Sequence, residues 1–275
     1  MPTTLQKKTI AALLKPRRPD TNKSHYGHAL LVAGNTGKMG AAVLAARACL
    51  RSGTGLTTVN VPKEERFIIQ TAVPETMMNE RESIPANLEK YTAVGIGPGM
   101  GTQQKDEDRF YQLLINLKQP LLLDADAITI LAAHKNWWAL LPKGTIFTPH
   151  GGEFERMFGP GKSKKDRLNK AMEISRLYGW VIVLKGHETA IVSYGKYMLN
   201  KTGNTGLAKG GSGDVLTGMI TAFLAQGYEP VEAASLGVYL HGAAADLALK
   251  KQSAESMIAG DVIECIGAAF KGLIK

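Results

Sequence analysis

Short, uniformly apolar and β-branched runs alternate with helical patterns along most of this chain. The runs at 29–33, 56–61, 93–97, 121–124, 145–148 and 181–185 predict strands. A strand that is apolar at successive positions, rather than at alternate ones, has both faces covered. That is the mark of a parallel sheet between two helix layers. Among the segments between these runs, 41–52 and 105–117 read as helices. Two further strands, 189–194 and 196–200, meet at Gly195 and predict a hairpin. After Gly213 only helices are expected. Val215, Leu216, Met219, Ile220, Phe223 and Leu224 form one apolar stripe, Gly227 ends that helix and Pro230 opens the next. Glu232 then falls in a first turn, where a negative charge is favoured. The pattern predicts an α/β protein, with a central, mostly parallel sheet and helices on both faces in three layers. It predicts one domain over 1–275, without a linker or internal repeat. Residues 1–23 form an N-terminal extension expected to pack on the domain or on an oligomer partner.

Most of the predicted strands end in glycine or small polar residues, as at Gly34-Asn35, Gly97-Pro98-Gly99, Asp124-Ala125-Asp126 and Thr148-Pro149-His150-Gly151-Gly152. Ligands of parallel α/β sheets bind beyond the carboxyl ends of the strands, so these segments should converge on one site. Composition narrows the ligand. With 44% hydrophobic residues the chain can bury a core, and 21% charged residues without polar low-complexity tracts exclude disorder. A formal net charge of +9 suits an anionic ligand such as a nucleotide. There is no dense Lys/Arg stripe with interleaved aromatics, so nucleic acid is not expected as a partner. Cys49 and Cys265 sit in apolar helical stretches without a CxxC neighbour and are expected to be buried thiols, consistent with a reducing cytoplasm. The apolar run from Ile10 to Leu14 stops at Lys15, too short for a signal segment. No run reaches bilayer length, so neither a membrane span nor a membrane partner is expected.

Two glycine motifs are near-misses. Gly34-Asn35-Thr36-Gly37-Lys38-Met39 lacks the Walker A spacing and carries Met39 where a magnesium-binding hydroxyl belongs. Gly95-Ile96-Gly97-Pro98-Gly99 lacks the third glycine of a dinucleotide fingerprint. The informative stretch lies later. Five of the eleven residues from Gly203 to Gly213 are glycine. Gly210, Gly211, Ser212 and Gly213 directly precede the striped helix. Their amides, with the helix N-terminus, can cradle a transferring phosphoryl group. Asp214 then stands beside that anion hole as a candidate base for a substrate hydroxyl. The plain alternative is a glycine-rich loop with Asp214 as an N-cap. Glu153 reads likewise as a helix-start carboxylate and Lys185 as a solvated strand end, while Asp124 and Asp126 are second-rank site candidates whose plain alternative is a pair of turn formers.

Gly211-Ser212-Gly213-Asp214 resembles the GxGD signature of ribokinase-like kinases. The longer run Thr202-Gly203-Asn204 through Ala208-Lys209-Gly210-Gly211-Ser212-Gly213-Asp214-Val215-Leu216-Thr217-Gly218 resembles the NAD(P)H-hydrate dehydratase family. Tyr26-Gly27-His28, Gly40-Ala41-Ala42, Gly95 to Gly99, Thr148 to Phe154 (with Gly151 where the family has Pro) and Val183 to Thr189 agree with that family in collinear order. The resemblance implies a ribokinase-like fold. It implies a lyase that restores NADH or NADPH from the S epimers of their hydrates with ADP or ATP, through phosphorylation of the ring hydroxyl. It implies that Ala41, Gly99, His150, Asn204 and Asp214 contact the hydrated cofactor. Lys185, Gly186, His187, Glu188, Thr189 and Gly213 would hold the adenine nucleotide, and Gly211, Ser212, Gly213 and Asp214 would perform catalysis. Glu153 would position Mg2+ through water. The resemblance also implies a cytoplasmic homotetramer. A small-molecule kinase of the same superfamily and a non-catalytic nucleotide sensor are the competing readings.

Overall fold

The computed structural model describes residues 3–82 and 87–274. The first half of the chain alternates strand and helix: β1 (Thr3–Thr4), α1 (Lys7–Leu13), β2 (His28–Val32), α2 (Met39–Arg51), β3 (Leu56–Val61), α3 (Arg66–Ala72), β4 (Met77–Glu80), β5 (Ala93–Ile96), α4 (Gln104–Asn116), β6 (Leu121–Leu123) and α5 (Ala125–Ala133). It continues with β7 (Ile146–Phe147), α6 (Gly151–Phe158), α7 (Lys164–Tyr178), β8 (Val181–Leu184), β9 (Thr189–Ser193) and β10 (Lys196–Asn200). Three helices close it: α8 (Ser212–Ala225), α9 (Pro230–Leu249) and α10 (Ala259–Ile274). Among the described residues ten strands form one sheet, in the order β1-β10-β9-β8-β7-β6-β5-β2-β3-β4.

From β8 to β4 the neighbours run parallel, as expected of uniformly apolar strands. The β9–β10 hairpin is antiparallel within itself and to β8, because its connection is too short for a crossover. Alternate residues of β2 show why both faces had to be apolar. Ala29 and Leu31 join a core with α2, α8, α9 and α10, whereas Leu30 and Val32 pack with α4 and α5. The predicted strand at 145–148 keeps only Ile146–Phe147 in the ladder, with Thr145 and Thr148 bonded at its rims. The edge strand β4 (Met77–Glu80) lies outside the predicted set, because an edge strand needs no apolar run. The N-terminal extension packs on its own chain. Thr3–Thr4 pairs with β10, Leu5 N donates to Leu199 O at 2.8 Å, and Ile10 is buried in the core.

Cys49 and Cys265 are both buried and unpaired, and burial pushes the Cys49 thiol up from its ordinary value. Among the described residues no helix is long and apolar enough to cross a membrane.

The sheet changes its winding direction between β2 and β5. Ligands of such sheets bind beyond the carboxyl ends of the strands near this point. The loops that follow these two strands are tied together there, Gly34 N donating to Pro98 O at 2.7 Å. Helix α8 runs through the core and is buried from Val215 to Ala225. Its seat depends on close approach to α2, because a Cβ at Gly218 would stand 2.1 Å from Ala45 O. Gly218→Ala should therefore force the two helices apart. Overpacking of this kind typically costs about 1–3 kcal/mol. Denaturant unfolding should show a lower midpoint at an unchanged slope. An unaltered midpoint would mean that the helices separate freely.

Candidate active site

The site is built at the start of α8. The first amides of a helix have no intrahelical acceptor, and their partial positive charge favours an anion. Gly211 supplies a left-handed cap at φ 90, and Ser212, Gly213 and Asp214 form the first turn. A side chain built on Gly213 would reach within 3.5 Å of Lys185 Nζ and 3.7 Å of Asp124 Oδ2. The helix start, the end of β8 and the end of β6 therefore meet at one point.

Lys185 does not point into solvent. Its ammonium lies 2.8 Å from Asp124 Oδ1 and 3.9 Å from Glu153 Oε2. Asp124 is 2% exposed and its second oxygen accepts a hydrogen bond from Thr217 Oγ1 at 2.8 Å. Burial opposes the Lys185 charge, but Asp124 and Glu153 outweigh it and raise the ammonium above its ordinary value. Asp214 goes the opposite way for a carboxyl. Burial first, and then the nearby Asp124, push it up to about 6, with Lys185 pulling against them and Asp126 adding to the rise. A carboxylate held near 6 is ionised at neutral pH and can still accept a proton, which suits a general base.

Asp124 and Asp126, second-rank site candidates in the sequence with turn formers as the plain alternative, are central here. They flank Ala125, whose φ of 45 lies in the left-handed region that non-glycine residues seldom occupy. Asp126 Oδ2 accepts from Gly101 N at 2.9 Å and lies 3.9 Å from Lys38 Nζ. The turn thereby adjoins the segment carrying Gly99. Gly99 and Ala41 are also neighbours, since a Cβ at Gly99 would lie 3.2 Å from Ala41 Cβ. The two positions implied for the hydrate thus form one surface.

His150 caps α6. Its Nδ1 accepts from Gly152 N at 3.0 Å and Glu153 N at 3.3 Å, so a neutral ring carries its proton on Nε2. Glu153 completes a capping box, with Oε2 accepting from His150 N at 2.8 Å. The imidazole remains largely exposed at the mouth of the site. Gly151 takes the first helical position, where the family's proline is also well suited, and the cap holds the loop in either case.

On the far side of Lys185 lies a cavity of about 840 Å³. His150, Lys185, Gly186, His187, Thr189, Asn204, Ser212 and Gly213 line it, together with Lys209. That volume is in the range of small-molecule sites. Glu188, Ala41, Gly99, Gly211 and Asp214 are outside the cavity lining. Glu188 instead pairs with Lys164 at 3.5 Å. Asn204 lines the cavity, but its amide is engaged, donating to Asp246 Oδ1 and accepting from Gly206 N. Sequence reasoning missed His241, which is 7% exposed, with Nε2 3.4 Å from Ser212 Oγ. Burial lowers it to about 4, so it is neutral at working pH. A lone histidine within the alanine-rich stretch of α9 offered no signal.

The fold is that of a ribokinase-like protein. Residues 29–267 match the NAD(P)H-hydrate dehydratase family, and the chain belongs to it. The Bacillus subtilis ADP-dependent (S)-NAD(P)H-hydrate dehydratase is 35% identical, over 95% of both chains. The bifunctional NAD(P)H-hydrate repair enzyme Nnr of Moorella thermoacetica is 36% identical, over 94% of this chain and 52% of its own length. The chain spans about half the length of the curated bifunctional relatives it matches. The crystal structure of the Bacillus subtilis ADP/ATP-dependent NAD(P)H-hydrate dehydratase, co-crystallised with ATP/Mg2+, superposes with a TM-score of 0.87 at 32% identity, covering 98% of each chain.

Proposed function

We propose that this protein dehydrates the S epimers of hydrated NADH and NADPH, with ADP or ATP as phosphoryl donor. The observation that carries the reading is the placement of Asp214, ionising near 6, beside the first amides of α8. The 840 Å³ cavity lies on one side of that point and the Ala41–Gly99 surface adjoins its Asp124–Asp126 turn. Hydroxide is a poor leaving group. Asp214 takes the proton of the ring hydroxyl as its oxygen attacks the terminal phosphorus of the nucleotide. The amides of Gly211, Ser212 and Gly213 receive the charge that develops on the phosphoryl oxygens. The phosphorylated ring then loses phosphate and a ring proton, which restores the dihydronicotinamide. The balance is hydrate plus ADP giving reduced cofactor, AMP, phosphate and a proton.

Lys185, Gly186, His187, Thr189 and Gly213 hold the nucleotide, with Glu188 supporting the rim. Ala41, Gly99, His150 and Asp214 hold the hydrate, and Asn204, in the wall of the nucleotide cavity, stands on the phosphate side of it. Magnesium fits the site as a nucleotide-borne ion. Among the described residues no group of three His, Cys, Asp or Glu side chains could hold a metal alone, and Mg2+ commonly binds through phosphates, waters and one or two carboxylates. Glu153 would reach it through water, and the ion would offset phosphate charge. The homotetrameric state and cytoplasmic location follow from the family resemblance, and light scattering reads the former.

A coupled absorbance assay tests the proposal. NADH should appear from its hydrate with ADP or ATP, with one phosphate released per turnover. Accumulation of a phosphorylated vitamin precursor without hydrate turnover would transfer the site to the kinase reading. Nucleotide binding without any turnover would make it a sensor.

A further inference from the structure

Two charged side chains outside the cavity lining each fasten the loops of one half of the cleft. Arg81 follows β4 and is 5% exposed. Its Nη1 donates to Gly34 O at 2.6 Å and Met100 O at 3.0 Å, and its Nη2 donates to Ala33 O and Asn60 O, both at 2.7 Å. These four carbonyls follow β2, end β3 and lie in the loop that carries Gly99. A guanidinium is suited to this because its donors are fixed in a planar fork and it offers no acceptor. Burial lowers Arg81 only to about 10, so it stays a cation at neutral pH. Asn35 Nδ2 donates to the same Met100 carbonyl at 2.9 Å.

Asp246 serves the opposite half from α9. Its Oδ2 accepts from Gly203 N at 3.0 Å and its Oδ1 from Asn204 Nδ2 at 3.1 Å. Thr202 Oγ1 donates to Tyr239 O at 2.9 Å, about two helix turns earlier. The turn so held supplies Thr202, Gly203, Asn204 and Thr205 to the nucleotide cavity wall. Neither Arg81 nor Asp246 lines that cavity.

We propose that Arg81 and Asp246 are positioning residues, Arg81 for the hydrate half of the site and Asp246 for the nucleotide half. The assignment of the halves rests on the proposed function. The test is steady-state kinetics with each substrate varied in turn, for Arg81→Lys, Asp246→Asn and Asp246→Glu. Asp246→Asn sets an amide N–H against a donor it formerly accepted. It should raise the KM for nucleotide about tenfold, in the range for a hydrogen bond to a charged group. The hydrate KM and the saturated kcat should hardly move. Asp246→Glu, which keeps both acceptors, should recover part of the loss. Arg81→Lys keeps the charge but loses the fork, and should raise the hydrate KM with little change for nucleotide. Should Arg81→Lys fail to fold, Asn35→Ala, which releases the same Met100 carbonyl, should give the same asymmetry in smaller degree. Both KM values rising together, or only the melting temperature falling, would overturn the proposal. Calorimetric titration of Asp246→Asn with ADP keeps the nucleotide arm readable even in a protein without hydrate turnover. Wild-type ADP affinity there refutes that arm, and failed turnover in the wild type refutes the proposed function instead.

Discussion

Asp214→Asn is expected to fold, bind both ligands and lose turnover by about 10²–10⁴-fold, the usual contribution of a general base. Asn has nearly the same shape, and Asp214 lies in the first turn behind the Gly211 cap with no side-chain cap bond to lose, so α8 keeps its geometry. It lacks the carboxylate that takes the hydroxyl proton. Stability provides an independent reading. In the folded protein Asp214 titrates near 6, above its ordinary 3.8, so folding favours the protonated form. The stabilisation this confers is complete below the ordinary value and is lost as pH rises through about 6. At pH 7 to 8 the wild type therefore holds an unfavourably buried charge that the Asn variant lacks. The variant's melting temperature relative to wild type should rise between pH 4 and pH 8. In the wild type, kcat/KM should fall on acidification with an apparent pKa near 6. Turnover within about threefold of wild type, far short of the general-base range, would remove Asp214 from the mechanism.

The second large effect is expected at Lys185. Lys185→Met leaves Asp124, which is 2% exposed, with Thr217 as its remaining side-chain hydrogen-bond donor. Removing one partner of a buried pair typically costs about 3–5 kcal/mol, chiefly because the other charge is left uncompensated. Lys185 is itself partly open to the cavity, so the lower part of that range is expected. Lys185 also pulls the Asp214 carboxyl down, so its loss should move the acid limb of the rate profile to higher pH. Nucleotide affinity should weaken more than hydrate affinity, because Lys185 lines the 840 Å³ cavity. Urea unfolding, the pH–rate profile and separate titrations with the two ligands read these three consequences. An acid limb that stays in place would show that Asp214 is insulated from Lys185.

Periodicity alone determined the parallel sheet, the hairpin at Gly195 and the buried α8, because burial on two faces and burial on one stripe leave different spacings in a sequence. The density of glycine before Asp214 likewise marked a helix start with open amides, since only the local backbone is needed to make one. The tertiary structure decided which charges meet. Asp124, Lys185 and Thr217 are separated by 61 and 93 positions from one end of their network to its other members, yet lie within hydrogen-bond distance. Their spacing carries no period, so Asp124 stood only as a second-rank candidate beside a turn-former reading, and Thr217 drew no role of its own. Asp214's displaced ionisation belongs to the same class, since it arises from burial and from partners beyond the ends of β6 and β8. Arg81 and Asp246 were illegible for a further reason. Each binds backbone groups, and a backbone carbonyl or amide leaves no trace in residue identity to reveal which side chain will reach it.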